Sequence, residues 1–364
     1  MNRLVSPGRR PLLVTSDDHV LDGLLRLTAA AGVEADVVAD AAAARARWLA
    51  APMVVVGDDQ AERLLALGPP RRPGVLVVCA SPPETATWRR AVGLGAEHVL
   101  ELAAGEARLV ECFADVADGG GPEQAILVGV AGGRGGAGAS VLASALAVCS
   151  ARRRLATMLV DADPFGGGLD LVLGAEHSGG LRWPDLADTR GRIGGPTLRD
   201  HLPDPRGLTV LSWDRGGTLS VPAEAVRAVV AAARRSWDLV VVDLPRRCDP
   251  ATEEIVGQCH RILLVVPAEV RAVAAAGRVA AGLGVVASGI SVIVRKPAPS
   301  GLRSDDVAAA LGLPVAAELD PEPGLAEALE RGEPPASSGR GPLASVCGLL
   351  LDELVDRDDA EEAA

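Results

Sequence analysis

The chain has 364 residues, 48% of them apolar, enough for two domains that bury their own cores without disulfide or metal staples. Its 36 basic and 48 acidic residues leave a net charge of −12, which speaks against a general nucleic-acid coat. Lysine occurs once, at Lys296, and tyrosine not at all. The six cysteines show no C-x-x-C spacing and read as core thiols of a reducing cytoplasm. The five histidines are scattered without metal-ligand spacing. The basic N-terminal stretch is broken by Asp17 and Asp18 and lacks a cleavage site, so no signal peptide is expected. No apolar run approaches the length of about 18 residues that a spanning helix needs.

In chain order, residues 11–16 read as a strand, and residues 19–31 as a helix with Val20, Leu24, Leu27 and Ala31 at helical spacing. A short strand at 33–38, an Ala/Arg-rich helix at 41–49, strands at 53–56, 75–79 and 98–100 and a helix from Ala107 follow. This alternation predicts a small doubly wound α/β domain over residues 1–117. Residues 118–124, DGGGPEQ, read as a linker. A second, larger α/β domain is predicted over residues 125–355. Its strands are expected at 125–130, 157–161, 208–211, 239–243, 262–266 and 290–294. Helices are expected after Gly138, Pro222, Pro250, Glu269, Arg303, Gly324 and Pro342. Continuous apolar runs such as LVVV fit strands covered on both faces. Residues 176–206 read as an irregular excursion with one short helix, and residues 356–364 as a frayed acidic tail.

The chemistry concentrates at Gly133-Arg134-Gly135-Gly136-Ala137-Gly138-Ala139-Ser140, a glycine-rich turn between a strand and an apolar helix. Such a turn aims N–H groups and the positive end of a helix at one point, which suits a phosphate. Gly133, Gly138 and Ser140 match G-x-x-x-x-G-K-[ST], but Ala139 stands where the lysine belongs. Gly133, Gly135 and Gly138 also satisfy G-x-G-x-x-G, with Asp161 near the end of the next strand, so a dinucleotide site competes. Asp161 and Asp163 follow one strand and Asp243 ends another, VVVDLP, where carboxylates suit Mg²⁺ or a water beside a γ-phosphate.

These segments resemble the MinD/ParA-like deviant-Walker ATPases, and within them the CpaE-like branch. The loop resembles G-K-G-G-x-G-K-[ST], DADPFGGGLDLVLG the switch I region and VVVDLP the switch II strand. The resemblance implies two doubly wound parallel-sheet domains, a receiver-like one and a MinD/ParA-like phosphate-loop one. It implies ATP bound by residues Gly133 through Ser140 and Mg²⁺ placed by Ser140, Asp161 and Asp243. It further implies Asp163 orienting water, and Arg134 at the signature-lysine position reaching the nucleotide of a partner in a homodimer. A cytoplasmic regulator of septum placement or of pilus and secretion assembly follows, meeting that machinery's proteins and the inner membrane face at most peripherally. Nucleic acid is not an expected partner. With Ala139 at the lysine position, hydrolysis is expected to be weak or absent. A pseudo-ATPase scaffold and a dinucleotide enzyme stay open as alternatives.

Two further departures bear on function. Val294, Arg295 and Lys296 stand where family members place an adenine-side Asn. In the receiver-like part, Gly57 falls nearest the phosphoacceptor position with Asp58 next, and the lysine after the fifth strand is missing. A pseudo-receiver is therefore expected. Leu343, Val346, Leu350 and Leu354 form a helical stripe expected to pack on the second domain.

Overall fold

The computed structural model describes residues 10–117 and 125–362 except 192, 288 and 300, with the backbone alone for 117 and 355–362. The chain divides into two compact units, Met1–Gln124 and Ala125–Ala364. The expected linker, 118–124, lies outside the described residues.

In the first unit, short β-branched runs form β1 (Leu12–Val14), β2 (Asp36–Val38), β3 (Val54–Gly57), β4 (Val75–Cys79) and β5 (His98–Glu101). All pair in parallel, in the order β2-β1-β3-β4-β5. Successive side chains alternate between faces. Leu12, Val14, Val54 and Val56 therefore enter one core, and Leu13, Val55, Leu76 and Val78 the other. The helices Asp18–Ala30, Ala41–Arg47, Asp58–Ala66, Thr85–Leu94 and Glu106–Ala117 cover the sheet. The sequence pattern hides two of them. Asp58–Ala66 opens with two acids, and Thr85–Leu94 leaves Trp88 and Val92 exposed, which blurs its apolar stripe. Asp17 caps the first helix by accepting from the N–H groups of His19 and Val20.

The second unit is built on seven parallel strands: β6 (Ile126–Gly132), β7 (Thr157–Asp161), β8 (Thr209–Leu211), β9 (Leu239–Leu244), β10 (Arg261–Pro267), β11 (Ile290–Arg295) and β12 (Val315–Leu319). Their order is β12-β11-β10-β6-β9-β7-β8. β12 goes unpredicted because VAAEL is alanine-rich, largely half-buried and at the sheet edge, where β-propensity is a weak signal. The excursion after Glu176 holds two short helices rather than one, Trp183–Leu186 and Gly195–His201. Trp183 is buried and anchors the segment by donating its indole N–H to the Asp161 carbonyl at 2.7 Å.

The last helix, Pro342–Glu362, buries Leu343, Val346, Leu350 and Leu354 in the same core as the helix Ala139–Arg152. This helix runs on through the acidic segment from Asp356 to Glu362. All six cysteines are free thiols. Among the described residues no helix is long and apolar enough to cross a membrane.

Candidate functional site

β6 lies in mid-sheet between β10 and β9, and its C-terminal end opens into the glycine-rich loop and then the helix Ala139–Arg152. Ligands of open α/β sheets bind at this edge. The loop is pinned where it leaves the sheet, by the Gly133 N–H donating to the Val265 carbonyl at 2.9 Å. A Cβ at Gly133 would lie 2.7 Å from the Ala276 Cβ, so the close pass over the helix Val270–Leu283 requires glycine. Gly138, with φ of 99°, turns the chain left-handed into the helix. Among the described residues the N–H groups of Gly135, Gly136 and Gly138 find no protein acceptor. With the unpaired first-turn donors of the helix they form a concave set of N–H groups suited to an anion.

Two carboxylates complete this edge. Asp161 ends β7 and Asp243 lies near the end of β9, and the two are direct neighbours in the parallel register, as are Asp243 and Val130 of β6. Asp161 accepts from the N–H groups of Asp163 (3.1 Å) and Leu169 (3.2 Å). The Ser140 hydroxyl stands close enough to the Asp243 carboxylate to favour its charged form. Burial first, then the charge of Asp243, pushes the Asp161 carboxyl up to about 7. Burial likewise pushes Asp243 up to about 7, with Asp163 adding to the rise and Ser140 opposing it. Among the described residues neither acid has a cationic partner.

This donor set fits Mg²⁺. One hydroxyl and two buried carboxylates give hard oxygen ligands, and Mg²⁺ takes its remaining ligands from water and substrate phosphates. No group of three or more His, Cys, Asp or Glu among the described residues makes a closed metal cage.

The other expected residues are placed as follows. Asp163 sits beyond β7, with its carboxylate accepting from the Phe165 N–H at 3.0 Å. Ala137 is buried inside the loop, and Ala139 opens the helix with no charge. Arg134 does not project freely: it donates to Glu269 at 2.8 Å within its own chain. Sequence reasoning missed two guanidiniums. Arg295, at the end of β11, donates to the carbonyls of Gly136 (3.1 Å) and Ala137 (2.8 Å). Arg246, three residues after Asp243, lies about 4 Å from where a Gly135 Cβ would stand. Only the lysine-poor composition hinted that arginine would gather here.

The strand order also decides between the two glycine-loop readings. A dinucleotide fold places the second strand of the unit directly beside the first. Here β9 intervenes between β6 and β7, so Asp161 faces Asp243 instead of standing next to the loop's own strand.

In the first unit the acidic site is closed. A Cβ at Gly57 would lie 2.2 Å from Asp59 Oδ1 and 2.6 Å from Thr15 Oγ1, leaving no room for a side chain at the position expected to match a phosphoacceptor. Asp59 fills that space and accepts from Thr15 Oγ, Ser16 N and Ser16 Oγ, each at 2.8 Å, and from Gln60 at 3.0 Å. Burial raises its carboxyl, but these donors outweigh it and hold Asp59 below the usual range. Asp58 points elsewhere, to Arg90 (2.7 and 2.8 Å) and Thr87 (3.2 Å).

Residues 14–124 match the family model described as the Rv3660c-like, CheY-like N-terminal domain. Over 320 residues the chain is 41% identical to protein Rv3660c of Mycobacterium tuberculosis, covering 87% of this chain and 90% of that one. The chain belongs to the Rv3660c-like family. Its larger unit has the MinD/ParA fold. The MinD cell division protein of Aquifex aeolicus superposes with a TM-score of 0.54 at 22% identity, covering 64% of this chain and 98% of that one. The septum site-determining protein MinD of Pyrococcus horikoshii, complexed with Mg-ADP, gives 0.50 at 16% identity, covering 63% and 96%. In this Rv3660c-like chain the smaller unit thus has a CheY-like fold in which Gly57 leaves no room for a side chain, and the MinD/ParA-fold unit carries Ala139 directly after Gly138 of its glycine-rich loop.

Proposed function

We propose that this protein is a nucleotide-responsive regulator whose larger unit binds ATP with Mg²⁺ and uses it as a conformational and dimerisation ligand. The observation that carries this reading is the juxtaposition of the pinned loop, its partner-free N–H groups, Ser140 and the carboxylates of Asp161 and Asp243 on one sheet edge. The loop N–H groups wrap the phosphates, and Ser140, Asp161 and Asp243 hold the metal, whose bound charge neutralises phosphate oxygens. Asp163 orients water, and Arg134 reaches the partner's nucleotide once Glu269 releases it. The Mg-ADP complex of the Pyrococcus horikoshii MinD supports the choice of ligand by shared fold. Within the CpaE-like branch the process served is septum-site determination or pilus and secretion assembly, with proteins of that machinery as partners and a cytoplasmic or peripheral membrane location.

Turnover is slow in this reading, because the ammonium that stabilises transferring phosphoryl charge is replaced by Ala139. The same replacement favours a second reading, a scaffold that binds nucleotide without hydrolysing it. Calorimetry with ATP and with ADP in Mg²⁺, on wild type and Ser140→Ala, tests the site. Metal-dependent ATP binding that Ser140→Ala weakens is expected, and a wild type that binds neither nucleotide refutes the reading. Phosphate release under saturating ATP separates regulator from scaffold.

A further inference from the structure

We propose that the phosphate charge at this loop is met by Arg246 and Arg295, two guanidiniums from the ends of β9 and β11 on opposite flanks of β6, that replace the missing lysine. The inference rests on the nucleotide-binding reading above and names the residues that make it work.

A loop of N–H dipoles holds phosphate best when a full positive charge faces it, and Ala139 supplies none. Lys296 is committed elsewhere, in an ion pair with Glu318. Arg134 is already paired with Glu269, so its charge is largely cancelled in the resting chain. The two remaining cations at the loop differ. Arg295 reaches it from the end of β11, and its Nη1 donates to the carbonyls of Gly136 and Ala137. Those bonds orient the guanidinium on the loop and consume one nitrogen. Nη2 and Nε keep N–H groups that donate to nothing among the described residues. The same Nη1 lies 3.1 Å from the Cβ position of Gly138, the residue just before the helix.

Arg246 approaches from the other flank. It follows β9 by two residues, and Nη1, Cζ and Nη2 stand 3.9, 4.0 and 4.0 Å from the Cβ position of Gly135. Near-equal distances mean that the guanidinium lies face-on over the loop. It is exposed and has no hydrogen bond or ion pair among the described residues. The two arginines thus bracket Gly135–Gly138, and among the described residues no carboxylate pairs with either one. In a chain with 48 acids against 36 bases, two arginines with no acid partner at one glycine loop mark an anion site. The planar fork of each matches paired phosphate oxygens, which a single ammonium does not. The ligand class is a polyphosphate.

The test is calorimetry with ATP and, separately, with inorganic tripolyphosphate, both with Mg²⁺, on the full chain. The variants are Arg246→Gln, Arg295→Gln, Arg295→Lys and each Gln variant combined with Ala139→Lys. Each Gln substitution is expected to lower affinity for both ligands about ten- to a hundredfold. Ala139→Lys should recover most of that loss in the same chain, and Arg295→Lys should lose less than Arg295→Gln. Gln variants that bind as tightly as wild type overturn the inference and leave the nucleotide reading standing. Losses that neither Ala139→Lys nor Arg295→Lys repairs also overturn it, because the arginines would then only brace the loop. A wild type that binds tripolyphosphate but not ATP, with the losses as stated, upholds the two arginines and refutes the nucleotide reading. A wild type that binds neither refutes both.

Discussion

Removing one of the two buried carboxylates should stabilise the protein without ligand at alkaline pH. Asp161 and Asp243 are 2% and 5% exposed, adjacent in the sheet, and burial pushes each up to about 7 from an ordinary value of 3.8. Between those limits the folded state keeps protons that the unfolded chain has lost. Stability therefore falls as pH rises from about 4 to about 7, then levels off. At roughly 1.4 kcal/mol for each unit, a shift of about three units amounts to about 4 kcal/mol for one acid ionised alone. Asp243→Asn keeps the shape and an acceptor for Ser140 while removing the charge. It should match wild type near pH 3.5 and exceed it by about 2–4 kcal/mol at pH 8.5. The depressed carboxyl of Asp59 does not confuse the comparison. Its contribution is present above the unfolded carboxyl value and is lost only as pH falls through the still lower folded one. Urea unfolding followed by tryptophan fluorescence, with chelator and no nucleotide, measures the difference. A wild type whose stability is flat or rises from pH 5 to 8.5, with Asp243→Asn no more stable, would refute the reasoning.

Other outcomes follow from the same geometry. Glu269→Gln frees Arg134 and should strengthen ATP-dependent dimerisation, read by sedimentation, whereas Arg134→Ala should weaken the dimer more than nucleotide binding to the monomer. Gly133→Ala drives a methyl to 2.7 Å from Ala276 and should cost about 1–3 kcal/mol, a loss that Ala276→Gly in the same chain relieves in thermal unfolding. Acetyl phosphate with Mg²⁺ should leave Asp58 unmodified, and hydroxylamine-labile phosphate lost in Asp58→Asn would contradict the pseudo-receiver reading. Mg²⁺ binding with nucleotide should release protons below pH 7 in calorimetry across buffers, because metal-bound carboxylates must be ionised.

The fold is legible in the sequence where burial is symmetrical and the pattern continuous. VVVDL and ILLVV are covered on both faces, so their strands announce themselves. VAAEL at the edge and the helix around Trp88 do not, because half their surface answers to solvent rather than to a core. The loop and its two acids are readable because each chemistry-bearing residue lies at a strand end. Arg246 and Arg295 are not, since nothing in their local sequence says that β9 and β11 flank β6 from opposite sides with only β10 between β6 and β11. The Arg134–Glu269 pair joins residues 135 apart, a relation that exists only once the sheet is ordered.

Pairing also separates the two units in what each can do next. The Arg134–Glu269 ion pair has side chains 36% and 42% exposed, a class of contact worth about 0–1 kcal/mol. On the proposed reading an incoming phosphate on a partner chain would compete with it at little cost. The acids of the receiver-like unit are held more firmly. Asp58 takes three hydrogen bonds from Arg90 and one from Thr87. Asp59 takes four donors and blocks the position that Gly57 leaves bare. Opening that site means breaking charge-assisted bonds worth about 1.5–3 kcal/mol each, with no phosphoacceptor gained in return. On the proposed reading ligand response belongs to the larger unit, while Asp58 and Asp59 of the smaller one are tied to its own side chains.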